Sequence, residues 1–203
     1  TRPQQSWCAV HDASRGLAVV NVGQMEFAVR DLPERPVALT LFRSTGRTVM
    51  TDGEPNGQML GEWAFRYWLA PLAGAPDRAR LCLWGQQLAA GLRDVQLQAR
   101  DQNLRRRVGD LPPVASLFAL EGGAVLSSAR LVRGAWELRL FNPSDAPCQA
   151  TLVLGELAQR AAGLSRVQRV NLESQPLSEA EALTGTQCSL PLRSKEIATL
   201  RLT

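Results

Sequence analysis

Histidine is the residue on which most hydrolytic and metal chemistry leans, and this chain of 203 residues has one, His11. A serine or cysteine nucleophile needs a histidine base oriented by a third group. His11 is the sole candidate, and no Gly-x-Ser-x-Gly turn accompanies it. Zinc and related metals want several His, Cys or Asp ligands. Cys8, Cys82, Cys148 and Cys188 form no Cys-x-x-Cys pair, so no metal or other cofactor is expected in this chain. Acid–base work by carboxylates needs two of them facing each other across a cleft, and no motif sets two on strand ends around a common site. Gly122-Gly123 joins two strand-like runs and opens no helix, so it is not a phosphate loop. His11-Asp12 reads as an exposed turn. No catalytic residue is assigned, and catalysis by this chain alone is not expected.

Binding is the chemistry left open. Trp63, Phe65, Tyr67 and Trp68 crowd one strand-like stretch. They could form a stacking platform for a sugar, since tryptophan faces are large, apolar and rigid. The competing reading is that alternating aromatics fill a core or an interdomain contact. Trp7, Trp84 and Trp136 read more simply as core residues. Arg105-Arg106-Arg107, with Arg100 before it and Asp110 after, reads as a solvated linker. No row of exposed aromatics accompanies it, so nucleic acid is set aside as a partner.

Composition agrees with an ordinary soluble globular chain: 45% hydrophobic and 21% charged, enough to bury a core without staples. The net charge of +4 is carried almost wholly by arginine, Lys195 being the only lysine, which points to coding composition and not to a ligand. Each cysteine lies in an apolar run, such as Leu81-Cys82-Leu83, where a thiol behaves as a small hydrophobe. Reduced, buried cysteines predict a cytoplasmic protein. No apolar run reaches the length of a membrane span, so no membrane partner is expected. The first residue is Thr1, not Met, so we expect a processed product or an excised fragment.

Elements that could position these residues are mostly strands. Runs at 16–23, 25–29, 36–43 and 63–72 are β-branched, aromatic or alternating. The first two, separated by a tight turn, are expected to pair as a hairpin. Residues 44–61, rich in Gly, Thr, Asp and Asn with Pro55, form a long loop, and long loops on compact domains tend to be functional. One helix is predicted: Asp77 as N-cap, an apolar run through Ala90, and Gly91 to stop it. Alternation returns over 92–99. A boundary is expected near 101–113, a charged stretch ending in Pro112-Pro113. Beyond it, short strands at 114–120, 124–132, 135–141, 148–154, 167–172, 187–192 and 197–202 are separated by turns, the pattern of a β-sandwich. Over 136–140, strict alternation predicts one face buried and the other solvated. Asn142-Pro143-Ser144 is blocked as a glycosylation site by its proline and reads as a turn.

Six pieces in order resemble the C-terminal half of the family 38 α-mannosidases, which include mannosylglycerate hydrolases. They are the runs 15–23 with Glu26, 38–46, a loop ending Gln58-Met59-Leu60-Gly61, an aromatic strand closing on Leu69-Ala70-Pro71-Leu72, the run 136–144, and the closing stretch 195–202. The resemblance implies an all-β chain. Residues 1–108 would be the end of a large, galactose-mutarotase-like β-sandwich carrying one short helix, and 109–203 a small Ig-like β-sandwich. It implies a parent that is a retaining α-mannosidase using an aspartate nucleophile and a divalent metal, usually zinc, both on an N-terminal domain outside this sequence. That domain and a mannoside substrate are the implied partners. The loop is the element expected to approach the cleft, which makes Glu54, Asn56, Gln58 and Trp63 the candidate carbohydrate-facing residues. From a different class comes the alternative of a free-standing carbohydrate-binding or adhesion module.

Overall fold

Strand β3 (Gly16–Val22) runs between β2 (Trp7–His11) and β6 (Arg66–Leu72), antiparallel to both. The structure is a computed structural model that describes residues 1–47, 53, 55–94, 96 and 112–203, with the side chains of 55, 56 and 160–162 outside that description. The period-two alternation of these strands gives the sheet two unlike faces. Trp7 and Ala9, Ala18 and Val20, and Ala70 and Leu72 share one face, and Leu81, Trp84 and Leu88 of helix α1 (Arg78–Ala90) cover it. The helix starts as its sequence dictates. The Asp77 carboxylate accepts the Arg80 N–H at 3.0 Å, and at the other end the Gly91 N–H reaches the Gln87 carbonyl. Arg80 lies over the Trp84 ring, 4.7 Å from its centre.

The expected hairpin between 16–23 and 25–29 does not form. Both edges of β3 are already taken, and after Gly23, at φ 90°, the chain leaves for another sheet. There β4 (Glu26–Val29) pairs with β1 (Arg2–Pro3) on one side and β5 (Val37–Leu39) on the other. Asn21 fixes the corner by accepting the Gln24 N–H on its side-chain oxygen. The chain divides into two compact units, Thr1–Gly91 and Leu92–Thr203. The expected boundary at 108/109, the alternation over 97–99 and the Arg105–Arg107 cluster all fall outside the described residues.

The second unit is a sandwich of two antiparallel sheets. One has the order β13-β10-β7, from β7 (Phe118–Gly122), β10 (Cys148–Leu154) and β13 (Gln187–Leu192). The other has the order β12-β11-β14-β9-β8, from β8 (Val125–Val132), β9 (Ala135–Phe141), β11 (Arg166–Val170), β12 (Glu181–Ala182) and β14 (Ile197–Leu202). Leu138, Leu140, Leu200 and Leu202 point in from one sheet, Leu152, Leu154, Leu190 and Leu192 from the other. Trp136 packs edge-on to Phe118 at 5.5 Å, so its expected place in the core holds. The β8–β9 hairpin turns on Arg133-Gly134, both at positive φ, the two-residue geometry that follows strand twist.

In all, the described residues form an all-β fold of fourteen strands in four antiparallel sheets. One expectation needs correcting: among the described residues there are two helices, not one. Helix α2 (Glu156–Ala162) lies between Gly155 and the left-handed Gly163. Two turns are too short to print a periodic apolar stripe in sequence. A second correction concerns 136–140, where the outward face is not simply solvated. Glu137 is fully buried there, bonded to Arg130 at 2.8 Å, to Arg201 at 2.8 Å and by the Ser174 hydroxyl at 2.8 Å. Burial raises its pKa, but Ser174, Arg201 and Arg130 together outweigh that and hold it below the usual carboxylate range. Asn142 is a turn residue, as read from sequence. Its amide donates to the Ala146 and Arg193 carbonyls, both at 2.9 Å, and its oxygen accepts the Ser144 N–H.

Two stability predictions follow from these contacts. Glu137→Ala leaves Arg201 facing an unfilled, buried partner position and should cost about 3 kcal/mol by chemical denaturation. A loss under about 1 kcal/mol would show the network to be dispensable. Glu196 is held at about 2 by the Arg193 N–H and the Arg169 guanidinium. A depressed carboxylate stabilises the fold above its unfolded pKa of about 4.3, and the contribution disappears as pH falls towards the folded value. Glu196→Gln should therefore flatten the fall in Tm between about pH 5 and pH 2, read by a pH series of thermal melts.

Candidate functional site

Of the four candidate residues, the structure describes the side chains of two, Gln58 and Trp63. The loop closes where the Thr45 N–H donates to the Gly57 carbonyl at 2.8 Å, and residues Pro55–Gln58 form a single 3-10 turn. Gln58 extends its amide beside Gly46, so close that a Cβ on Gly46 would lie 2.5 Å from Gln58 Nε2. One residue on, the Met59 carbonyl accepts the Trp63 indole N–H at 2.9 Å. Gln58 and Trp63 thus flank the same backbone segment. Glu54 lies outside the described residues, and Asn56 is described only as backbone in the turn.

The site can offer one apolar face and one amide. Trp63 is 53% exposed, and with its N–H committed to Met59 it presents a ring face and no free donor. A primary amide such as Gln58 both donates and accepts, as a sugar hydroxyl requires. Nearby in sequence, Phe65 stacks on Phe42 with centroids 6.2 Å apart and planes 7° from parallel. Tyr67 and Trp68 are exposed on β6. Trp63, Tyr67 and Trp68 are exposed and so do not fill the core of this unit, whereas Trp7 of β2 and Trp84 of α1 pack against its buried cluster.

Two carboxylates of the first unit, Asp12 and Glu26, are held in their charged form by their partners. Asp12 accepts the Ser14 and Arg15 N–H groups and the Ser14 hydroxyl, and these bonds, the Ser14 N–H first, bring it to about 2. Glu26 is engaged by Arg43, which brings it to about 2 as well. His11 lies at a depression of about 570 Å³ with Asp12, Arg15 and Glu34, and its Nδ1 faces the Asp12 carbonyl at 3.3 Å. The Ser14 hydroxyl spends its proton on Asp12, so the three side chains make a turn and not a nucleophilic set. Among the described residues, no three His, Cys, Asp or Glu side chains gather as a metal would require. The four cysteines are free thiols, and burial raises the pKa of Cys8. Among the described residues, no helix is long and apolar enough to cross a membrane.

With that geometry in hand, the chain can be set beside known proteins. No family model matches it, and no curated protein does. A solved structure does. An α-mannosidase from Enterococcus faecalis V583 superposes over 100% of this chain with a TM-score of 0.69 at 21% sequence identity. The likeness is one of fold. This chain spans only 21% of the α-mannosidase chain, so the neighbour is a much longer polypeptide.

What the sequence could not show is where the aromatic strand lies. Alternation marks Tyr67 and Leu69 as one face of β6, but only the sheet order makes β6 an edge. Gly46→Ala tests the loop geometry. It should displace the Gln58 amide, seen as a shifted side-chain NH₂ resonance, and change Tm by less than about 3 °C, because the clash is with a flexible side-chain end. An unmoved Gln58 resonance would show that the two residues are not in contact.

Proposed function

We propose that this chain is a non-catalytic β region of an α-mannosidase-like glycoside hydrolase, of the family 38 type, supporting the catalytic domain and shaping its carbohydrate cleft. The observation that carries the reading is the whole-chain likeness to 21% of an α-mannosidase. The packing of the first unit supports it. Among the described residues, five buried hydrophobic residues lie in the first unit, Cys8, Ala18, Val19, Val20 and Leu81, against fifteen in the second. A unit with so little core draws its stability from further polypeptide.

On this reading the divalent metal and the nucleophile of the parent belong to its catalytic domain. A metal there supplies Lewis-acid stabilisation and positioning, and no residue of this chain is assigned to it. What this chain contributes is position: Gln58 and Trp63 on a closed loop turned towards the mannoside, with Glu54 and Asn56 on the same loop. Free, buried thiols such as Cys8 support a reducing, cytoplasmic setting.

The test is an α-mannosidase assay on the protein purified from its source, with and without a chelator. The expected result is metal-dependent hydrolysis of an aryl α-mannoside by a species much heavier than 22.2 kDa, and none by the 203-residue chain alone. Turnover by the 203-residue chain would overturn the reading. The exposed Trp63 face keeps a second reading open, a free-standing carbohydrate-binding module. It expects mannoside-dependent quenching of tryptophan fluorescence in the isolated chain, abolished by Trp63→Ala and Trp68→Ala. Fluorescence that stays flat at high oligomannoside concentration rejects it.

A further inference from the structure

The outer edge of β6 carries information of its own. In an antiparallel ladder each residue turns its N–H and C=O to the same side, and the side alternates along the strand. The Asn21 N–H donates to Ser6 at 2.8 Å, which lies on the β2 side of β3. Its partner across the other ladder is Tyr67, so the Tyr67 backbone groups point away from β3. By the same parity those of Leu69 and Pro71 also point outward, while Trp68 and Ala70 bond to β3. Pro71 checks the assignment, for it has no N–H to give and is tolerated only where none is needed. Among the described residues, no strand pairs with this edge.

Among the described residues, nothing covers this edge. It is seven residues long, and its side chains at the outward positions are apolar and open, Tyr67 being 52% and Leu69 62% exposed. Stable β proteins blunt such an edge with inward charges, bulges or a cover. Here Arg66 stands at one end and Pro71 near the other, with nothing between them. We infer that the β6 edge is a strand-addition site, filled by an extended, alternately apolar segment from the rest of the longer polypeptide. This rests on the reading above, that such a polypeptide exists.

A second copy of β6 fits poorly. Two such strands paired about Leu69 set each Tyr67 against the other's Pro71, and Pro71 has no N–H for the Tyr67 carbonyl. A strand of different sequence supplies that donor. It would also shield Trp68 on the face of the three-residue buried cluster and Leu69 on the opposite face. Since the chain spans 21% of the α-mannosidase it resembles, ample polypeptide of that architecture lies outside it.

Amide hydrogen exchange reads the edge directly. It is measured on the protein purified from its source and on the 203-residue chain. Trp68 and Ala70, bonded to β3, should be slow in both. Tyr67 and Leu69 should exchange at least about a hundred-fold more slowly in the longer protein than in the chain alone. Fast exchange of both in the longer protein overturns the inference, as does equal protection in the two samples. Protection of the 203-residue chain that grows with its concentration assigns the edge to a second copy, which also overturns it. A source protein of 22.2 kDa removes the occupant and the proposed function together. A heavier protein without mannosidase activity, but with slow Tyr67 and Leu69, removes only the function. A variant pair adds a second readout. Leu69→Pro deletes the outward N–H, and Leu69→Ala deletes the same side chain but keeps that donor. In the longer protein the proline variant should melt several degrees below the alanine variant, and equal Tm values would overturn the inference.

Discussion

The contact between the inner faces of two leucine-bearing sheets governs the terminal half of this protein. Leu138, Leu140, Leu200 and Leu202 interdigitate with Leu152, Leu154, Leu190 and Leu192, all buried. Burying a leucine is worth about 2 kcal/mol against leaving it in water, so this layer outweighs any surface ion pair by itself. Because the side-chain period is two, the layer also dictates what lies outside it. Glu137 and Arg201 are opposite each other on the outer face, since Leu138 and Trp136 have been committed inward. Their network with Arg130 and Ser174 then clamps the loop after β11.

The first unit obeys the same alternation with a different outcome. Its helix covers one face of β2-β3-β6, and its fully buried cluster stays small. Strand β6, which bears Tyr67 and Trp68, is at the sheet edge among the described residues. The open aromatics go with the side of the sheet where, among the described residues, strand order ends at β6.

Local signals read well wherever they are carried by neighbouring residues. The Asp77 cap, the Gly91 stop, the Arg133-Gly134 hairpin and the Asn142 turn were all legible, because each depends on the geometry of a few consecutive residues. Helix α2 was not, since two turns carry no periodic stripe. The strand pairing of 16–23 with 25–29 was misjudged because proximity in sequence says nothing of which edges are already occupied. In the loop, Gln58 was singled out by resemblance and Trp63 by its aromatic neighbours, but neither signal reveals that Met59 joins them.

The sequence by itself determined the class of the fold: strands of alternating apolar residues, broken at glycine and proline, with one capped helix. It also determined that folding has one imidazole to place, His11. Only the tertiary structure decided which strand became an edge, which buried carboxylate met two arginines, and which aromatics remained in solvent. Those outcomes depend on contacts between residues far apart in the chain, such as Glu137 with Arg201 and Asn21 with Tyr67. Register and sheet order set them, and local composition carries no record of either.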